Sequence, residues 1–142
     1  MKAKSVFALM ALMLTIAFAC ILIAPQLCQS QECRVIRIYG EGTSPGKMHL
    51  EPEVTRVAKG TCVIWINWSK ADEISVKFTE GKKCDDVTDA AVSFKLDAAN
   101  CYVTTWLPLG GTSSLRFNET GLYEFEVDNK GDAKVKGKIM VE

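Results

Sequence analysis

The sequence predicts an all-β sandwich behind an apolar N-terminal segment. Three observations carry that prediction. Short runs of β-branched and aromatic residues recur from Arg34 onward, turn residues separate them, and no helical period of useful length follows Pro25. About eight strands at this spacing describe two antiparallel-rich sheets packed face to face.

In chain order, the N-terminus comes first and sets the compartment. Lys2 and Lys4 precede an apolar run from Val6 to Ala24 in which Thr15 is the one clearly polar residue. A basic stretch followed by an apolar stretch is the pattern of a secretory signal. Pro25 ends any helix, and Gln26-Leu27-Cys28-Gln29-Ser30 supplies small residues where a signal peptidase acts, so cleavage is expected after Ser30. Residues 1–30 then form the signal peptide and residues 31–142 the mature domain. The apolar run is 19 residues, just long enough to cross a bilayer as a helix, so an uncleaved membrane anchor is the alternative. Either way the domain is placed outside the cytoplasm, in a periplasm or the extracellular space.

The first strand is expected at Arg34 to Tyr39, bounded by Gly40. A glycine-rich approach containing Ser44-Pro45-Gly46 leads to Val54–Val57, and Gly60 supplies the tight turn into Thr61–Asn67. Ile74 to Phe78 alternates apolar with polar and ends at Glu80-Gly81. Asp85 to Ala90 is the one place where a helical turn is expected. Further strands are expected at Ala91–Leu96, Tyr102–Trp106, Ser113–Phe117, Tyr123–Val127 and Lys134–Val141, with Asn118-Glu119-Thr120-Gly121 as a turn.

The whole chain has 17 cationic and 17 acidic side chains. Removing residues 1–30 takes away Lys2 and Lys4 and no acid, which leaves 15 against 17 and a net charge of −2. Nucleic acid is therefore not an expected partner, because neutralising phosphates needs a basic surface. A mature length of 112 residues fits one small domain with one core.

That domain keeps Cys33, Cys62, Cys84 and Cys101. An even number of cysteines in an exported chain favours disulfides, with three connectivities open. No paired C-x-x-C is present, which argues against zinc, iron-sulfur and redox dithiol chemistry.

Met48 and His49 are the metal-ligand candidates, a thioether beside the single imidazole of the chain, with Glu51 nearby. A surface histidine on the way to the next strand is the ordinary explanation. Trp65, Trp68 and Trp106 suggest ligand stacking or an interaction patch; Trp65 reads as core, while Trp68 and Trp106 flank loops. Lys134, Lys136 and Lys138 alternate along the last strand, as a solvated face that discourages edge pairing would. Catalysis is not expected: the one histidine has no Ser or Cys nucleophile beside it, and Asp72-Glu73 and Asp85-Asp86 lie at turns.

Two stretches resemble the cupredoxin, or blue-copper, family. The more specific is Leu107-Pro108-Leu109-Gly110-Gly111 leading into Thr112–Phe117, then Gly121-Leu122-Tyr123-Glu124-Phe125, then Lys136-Gly137-Lys138-Ile139-Met140-Val141. It is similar to a glycine-led strand, a G-x-Y-x-[FY] strand and a closing G-x-I-x-V strand. The other, Glu51-Pro52-Glu53-Val54-Thr55-Arg56-Val57 running to Val63-Ile64-Trp65-Ile66-Asn67, resembles a P-x-x-[IV]-x-[IV] strand turning into V-x-W-x-N.

The resemblance implies a cupredoxin-like Greek-key β-sandwich with residues 79–106 as an elaboration. It implies a pairing of Cys33 with Cys62, at the starts of strands that run parallel in that topology, and with it Cys84–Cys101. In copper-binding members the loop between the last two strands carries Cys, His and Met; here Val127–Val135 has none of them. Their first histidine falls near Asp72, Glu73 or Ile74, and none of these is histidine. A type-1 centre needs two imidazoles and a thiolate, and one molecule of this chain holds one histidine. The expectation is an exported binding or structural module of the cell envelope that carries no cofactor and docks to a protein partner, such as a redox or copper-handling protein. The alternative is a copper chaperone or electron carrier that binds copper through Met48 and His49.

Overall fold

The structure, a computed structural model, describes residues 32–40, 47–70, 73–80, 88–130 and 133–142. The signal or anchor segment lies outside the described residues, as do Cys84 and the start of the expected helical turn. The strands are β1 (Arg34–Gly40), β2 (Met48–Glu51), β3 (Val54–Val57), β4 (Cys62–Asn67), β5 (Ile74–Glu80), β6 (Thr88–Val92), β7 (Phe94–Leu96), β8 (Tyr102–Thr104), β9 (Thr112–Phe117), β10 (Gly121–Asn129) and β11 (Lys134–Val141). They form two sheets, ordered β2-β1-β4-β9-β6 and β3-β11-β10-β5-β8-β7. We call these sheet A and sheet B.

Alternation drives the packing. In β4 the side chains of Val63, Trp65 and Asn67 are buried while Cys62, Ile64 and Ile66 are half-buried on the other face; β9 and β10 alternate likewise. The inward residues meet as one core of Ile36, Ile38, Trp65, Phe78, Phe117, Phe125 and their neighbours. Each such aliphatic or aromatic side chain contributes about 1.5–3 kcal/mol on full burial. Trp65 is the hub: its ring lies edge-on to Phe78, Phe94 and Phe125 at 5.9, 5.4 and 5.6 Å.

Two parallel pairings, β1 with β4 and β3 with β11, interrupt the antiparallel pattern. The first places Cys33 beside Cys62, which form a disulfide with 4.6 Å between Cα atoms. The pairing implied by the family resemblance is therefore present. Cys101, half-buried at the start of β8, is a free thiol, and its expected partner Cys84 lies outside the described residues.

The strands exceed the expected number for identifiable reasons. Ala91–Leu96 is not one strand: at Ser93 the backbone turns to a φ of 61°, and the chain leaves β6 in sheet A for β7 in sheet B. Thr88 to Ala90 belongs to β6 and not to a helical turn. Tyr102–Trp106 shortens to β8, after which Leu107 makes a single bridge to Ile74. Of the lysines of β11, Lys138 lies where β11 runs between β3 and β10, while Lys134 and Lys136 precede the stretch that β3 pairs. Lys134, Lys136 and Lys138 stand opposite Asp128, Glu126 and Glu124.

Candidate functional site

The end of the sandwich where β4 runs into β5 and β10 into β11 is the place to look, because the resemblance puts the metal ligands there. Its frame is a knot of hydrogen bonds around Asn67, whose side chain is fully buried. The Asn67 amide Nδ2 donates to Leu107 O at 2.8 Å and its Oδ1 accepts from Ser69 N at 2.8 Å. Its backbone N donates to Gly111 O at 3.0 Å, and Gly110 N donates to Asn67 O at 2.7 Å. Three segments, the β4 end, residues 107–111 and the start of the β5 approach, are tied by one side chain. Gly110, with φ of 77°, and the Gly111 N to Pro108 O bond at 2.7 Å close the turn.

The opposite wall is the β10–β11 connection. Asn129 shapes it: Ala133 N donates to Asn129 Oδ1 at 2.8 Å, and Asn129 N donates to Ala133 O at 3.1 Å. Ile74 is paired with Asn129 across the β5–β10 ladder, so Glu73 and Lys130, one residue beyond each, come together. They form an ion pair, and Lys130 Nζ also lies 5.6 Å from the centre of the Trp106 ring. The two stretches that would carry ligands in a copper-binding relative thus meet, as expected, but they meet as Glu73 and Lys130.

Those residues do not fit a type-1 centre. The amides of Asn67 and Asn129 are engaged with backbone, Ile74 is fully buried, and the Glu73 carboxylate faces an ammonium. Among the described residues no three His, Cys, Asp or Glu side chains gather as a metal site. Met48 and His49 do not converge either. Adjacent in β2, they leave on opposite faces: Met48 packs against the core, and His49 is exposed and stacks on Tyr39 at 5.0 Å.

Exposed apolar side chains flank the knot. Trp68, Trp106 and Leu109 are 52%, 45% and 60% exposed, high for large apolar side chains, and each adjoins a residue of the Asn67 knot. Trp68 and Trp106 were legible as exposed flanking residues. Leu109 and the Glu73–Lys130 pair were not singled out, and Asn67 was read as the end of the V-x-W-x-N stretch without its role as a knot. A polar Asn closing an apolar strand was the available signal for the knot, and no local pattern announces an ion pair across 57 positions of sequence.

Electrostatics elsewhere are those of a solvated sheet. On the outer face of sheet B, Lys134 Nζ lies 2.9 Å from Glu126 Oε1 and 3.2 Å from Asp128 Oδ1, and Lys138 Nζ lies 2.7 Å from Glu124 Oε1. The bond from Lys134 holds the Glu126 carboxyl below its usual range and raises Lys134 in turn. Backbone N–H groups of Cys101 and Ala99 do the same to Asp97 in the β7–β8 turn.

Two sheets closed around an aromatic hub, with parallel β1–β4 and β3–β11 pairings, define a cupredoxin-like sandwich. Solved structures of amicyanin share it. A reduced tryptophan-to-tyrosine variant is 19% identical with a TM-score of 0.52, the match covering 82% of this chain and 88% of that one. An oxidised methionine-to-lysine variant is 21% identical with a TM-score of 0.52, covering 78% and 82%. At this identity the likeness establishes the fold alone. The sequence matches no family model and no curated protein.

Proposed function

We propose that the chain is an exported cupredoxin-like binding module of the cell envelope that works without type-1 copper and docks a protein partner through the end bearing Trp68, Trp106 and Leu109. The observation that carries this reading is that three exposed large apolar side chains each adjoin in sequence a residue of one buried hydrogen-bond knot. Aromatic residues on a fixed support are what interface hot spots use, since little side-chain entropy is lost on contact. Such a patch, on the order of a few hundred Å², belongs to the small, transient class of interfaces. Export is supported by the N-terminal sequence pattern and by the Cys33–Cys62 bridge. No catalytic role is assigned.

A photo-reactive residue at Leu109, in the full-length protein within its own envelope, tests the docking surface. A discrete crosslinked species that disappears with Trp106→Ala is expected. The same pattern from a probe at Lys136, on the outer face of sheet B, would refute it. Copper is tested separately by titrating Cu(I) and Cu(II) into the protein and its His49→Ala variant. Stoichiometric binding would replace the cofactor-free reading, and its loss in the variant would assign His49.

A further inference from the structure

The outer faces of the two sheets differ in kind. On sheet B the outward charges neutralise one another, Lys134 with Glu126 and Asp128, and Lys138 with Glu124, so that face suits water. On sheet A the register lays an apolar row across four strands. Val35 of β1 stands beside Ile64 of β4, Ile64 opposite Ser114 of β9, and Ser114 opposite Val92 of β6. These residues alternate with the buried Ile36, Trp65, Ser113 and Leu115 and so face outward, Val92 being 55% exposed. Ile66 and Thr112 extend the apolar surface on one side, and Cys62, bridged to Cys33, extends it on the other.

Two diagonal corners of this surface each carry one charge of either sign. At the β2–β1 corner Glu51 stands opposite Arg37, both exposed. At the β9–β6 corner Arg116 stands opposite Asp89, with 3.8 Å between Arg116 Nε and Asp89 Oδ1 and both side chains partly exposed. Ile64 lies midway between the corners, one outward row from each and on the central strand. A half turn of the face about Ile64 therefore carries each arginine onto the other arginine and each acid onto the other acid. A surface patterned in that way complements itself. Laid on a second copy with the strands crossing at about a right angle, each arginine position falls within about 4 Å, in projection, of an acid position of the other copy.

We infer that the outer face of sheet A is where two copies of this chain meet, as a two-fold dimer with Ile64 on the axis. Five strands at about 4.8 Å and three outward rows at about 6.8 Å cover about 500 Å² per copy, or about 1,000 Å² for the pair. That area is the lower limit for a specific interface, so the dimer is weak and reversible. Its centre is apolar, with Ile64 on Ile64 and Val35, Ile66 and Val92 around it, and its corners exchange arginine for carboxylate. A partner of one sign suits neither corner, since each offers both charges. The inference does not rest on the proposed docking end, since Trp68, Trp106 and Leu109 take no part in it.

Sedimentation equilibrium of the purified full-length protein tests the inference. A monomer–dimer equilibrium in the micromolar range is expected, at least about tenfold weaker in Ile64→Asp. Two charge variants test the corners apart from the apolar centre: Arg37→Glu with Arg116→Glu makes both corners acidic, and Glu51→Lys with Asp89→Lys makes both basic. Each alone should be monomeric, and their equimolar mixture should form a one-to-one dimer that Ile64→Asp in either member weakens. Trp106→Ala, off this face, should dimerise as the parent does, and circular dichroism checks that each variant folds. A parent that stays monomeric up to about 0.5 mM overturns the proposal. So does a dimer that Ile64→Asp leaves unchanged, a charge variant that dimerises alone as the parent does, a mixture that fails to associate, or loss of the dimer in Trp106→Ala, which would move the contact to the other surface.

Discussion

Gly137→Ala tests the closest approach in the core. Gly137 is buried in β11, opposite Phe125 in β10. A Cβ there would stand 2.7 Å from Leu50 Cδ1 and 2.8 Å from Phe125 Cε1, far inside van der Waals contact. Phe125 has no room to retreat, since its ring is held by Trp65 at 5.6 Å and Phe78 at 6.0 Å. Overpacking of this kind costs about 1–3 kcal/mol, while removing a glycine from the unfolded chain returns about 0.4–1 kcal/mol. The net expectation is a loss of about 1.3 kcal/mol. With a urea slope of about 2 kcal/mol/M the midpoint falls by about 0.7 M, and the melting temperature drops by about 5 °C. Phe125→Leu should cost less in the Gly137→Ala background than alone, a coupling of about 1 kcal/mol or more, because it removes the atoms the new methyl strikes. A variant as stable as the parent, or strict additivity in the double variant, would refute the clash.

Four further outcomes are expected. Cys33→Ser opens a loop of sequence separation 29 and should lower stability by about 3.5 kcal/mol, read from the urea midpoint. Asn67→Ala strands the Leu107 carbonyl and the Ser69 amide and should cost about 2–4 kcal/mol, with a change in Trp68 and Trp106 fluorescence as the end loosens. Glu126 and Asp97 have depressed folded pKa values, so their contribution is present above the unfolded values and is lost as pH falls below them. The melting temperature should therefore fall on acidification below about pH 4, less steeply in Lys134→Gln. Finally, export should pair Cys101 with Cys84, so that no thiol titrates in the denatured, unreduced mature domain, residues 31–142; two reactive thiols there would leave Cys101 free, as the structure has it.

What could be read from the residues was what repeats locally. Alternation located Ile74–Phe78, Tyr123–Val127 and most other strands, because a half-buried strand must alternate. The same logic separated the core position of Trp65 from the exposed Trp68 and Trp106. What escaped was set by distant partners. β2 is four residues with a polar outer face, and it is a strand because β1 pairs with it. Ser93 gives no sign that the chain changes sheets there. The role of the β11 lysines depends on which strands flank them, and only topology supplies that.

The absent ligands and the preserved fold are compatible because they draw on different parts of the molecule. Folding free energy comes from the inward faces of β1, β4, β5, β9 and β10, with Trp65, Phe78 and Phe125 at their centre. The end loops add Leu107 and Ala133 to the buried residues, while Glu73 and Lys130 carry their charges at the surface. A loop end has to satisfy its backbone and hold its shape whatever it binds. Here Asn67 does so on one side and Asn129 on the other, each by hydrogen bonds to backbone. The exposed Glu73–Lys130 pair adds little stability, about 0–1 kcal/mol, yet it joins the two halves and places a cation on Trp106. Such a frame holds Trp106 on a fixed support, which the proposed docking surface requires.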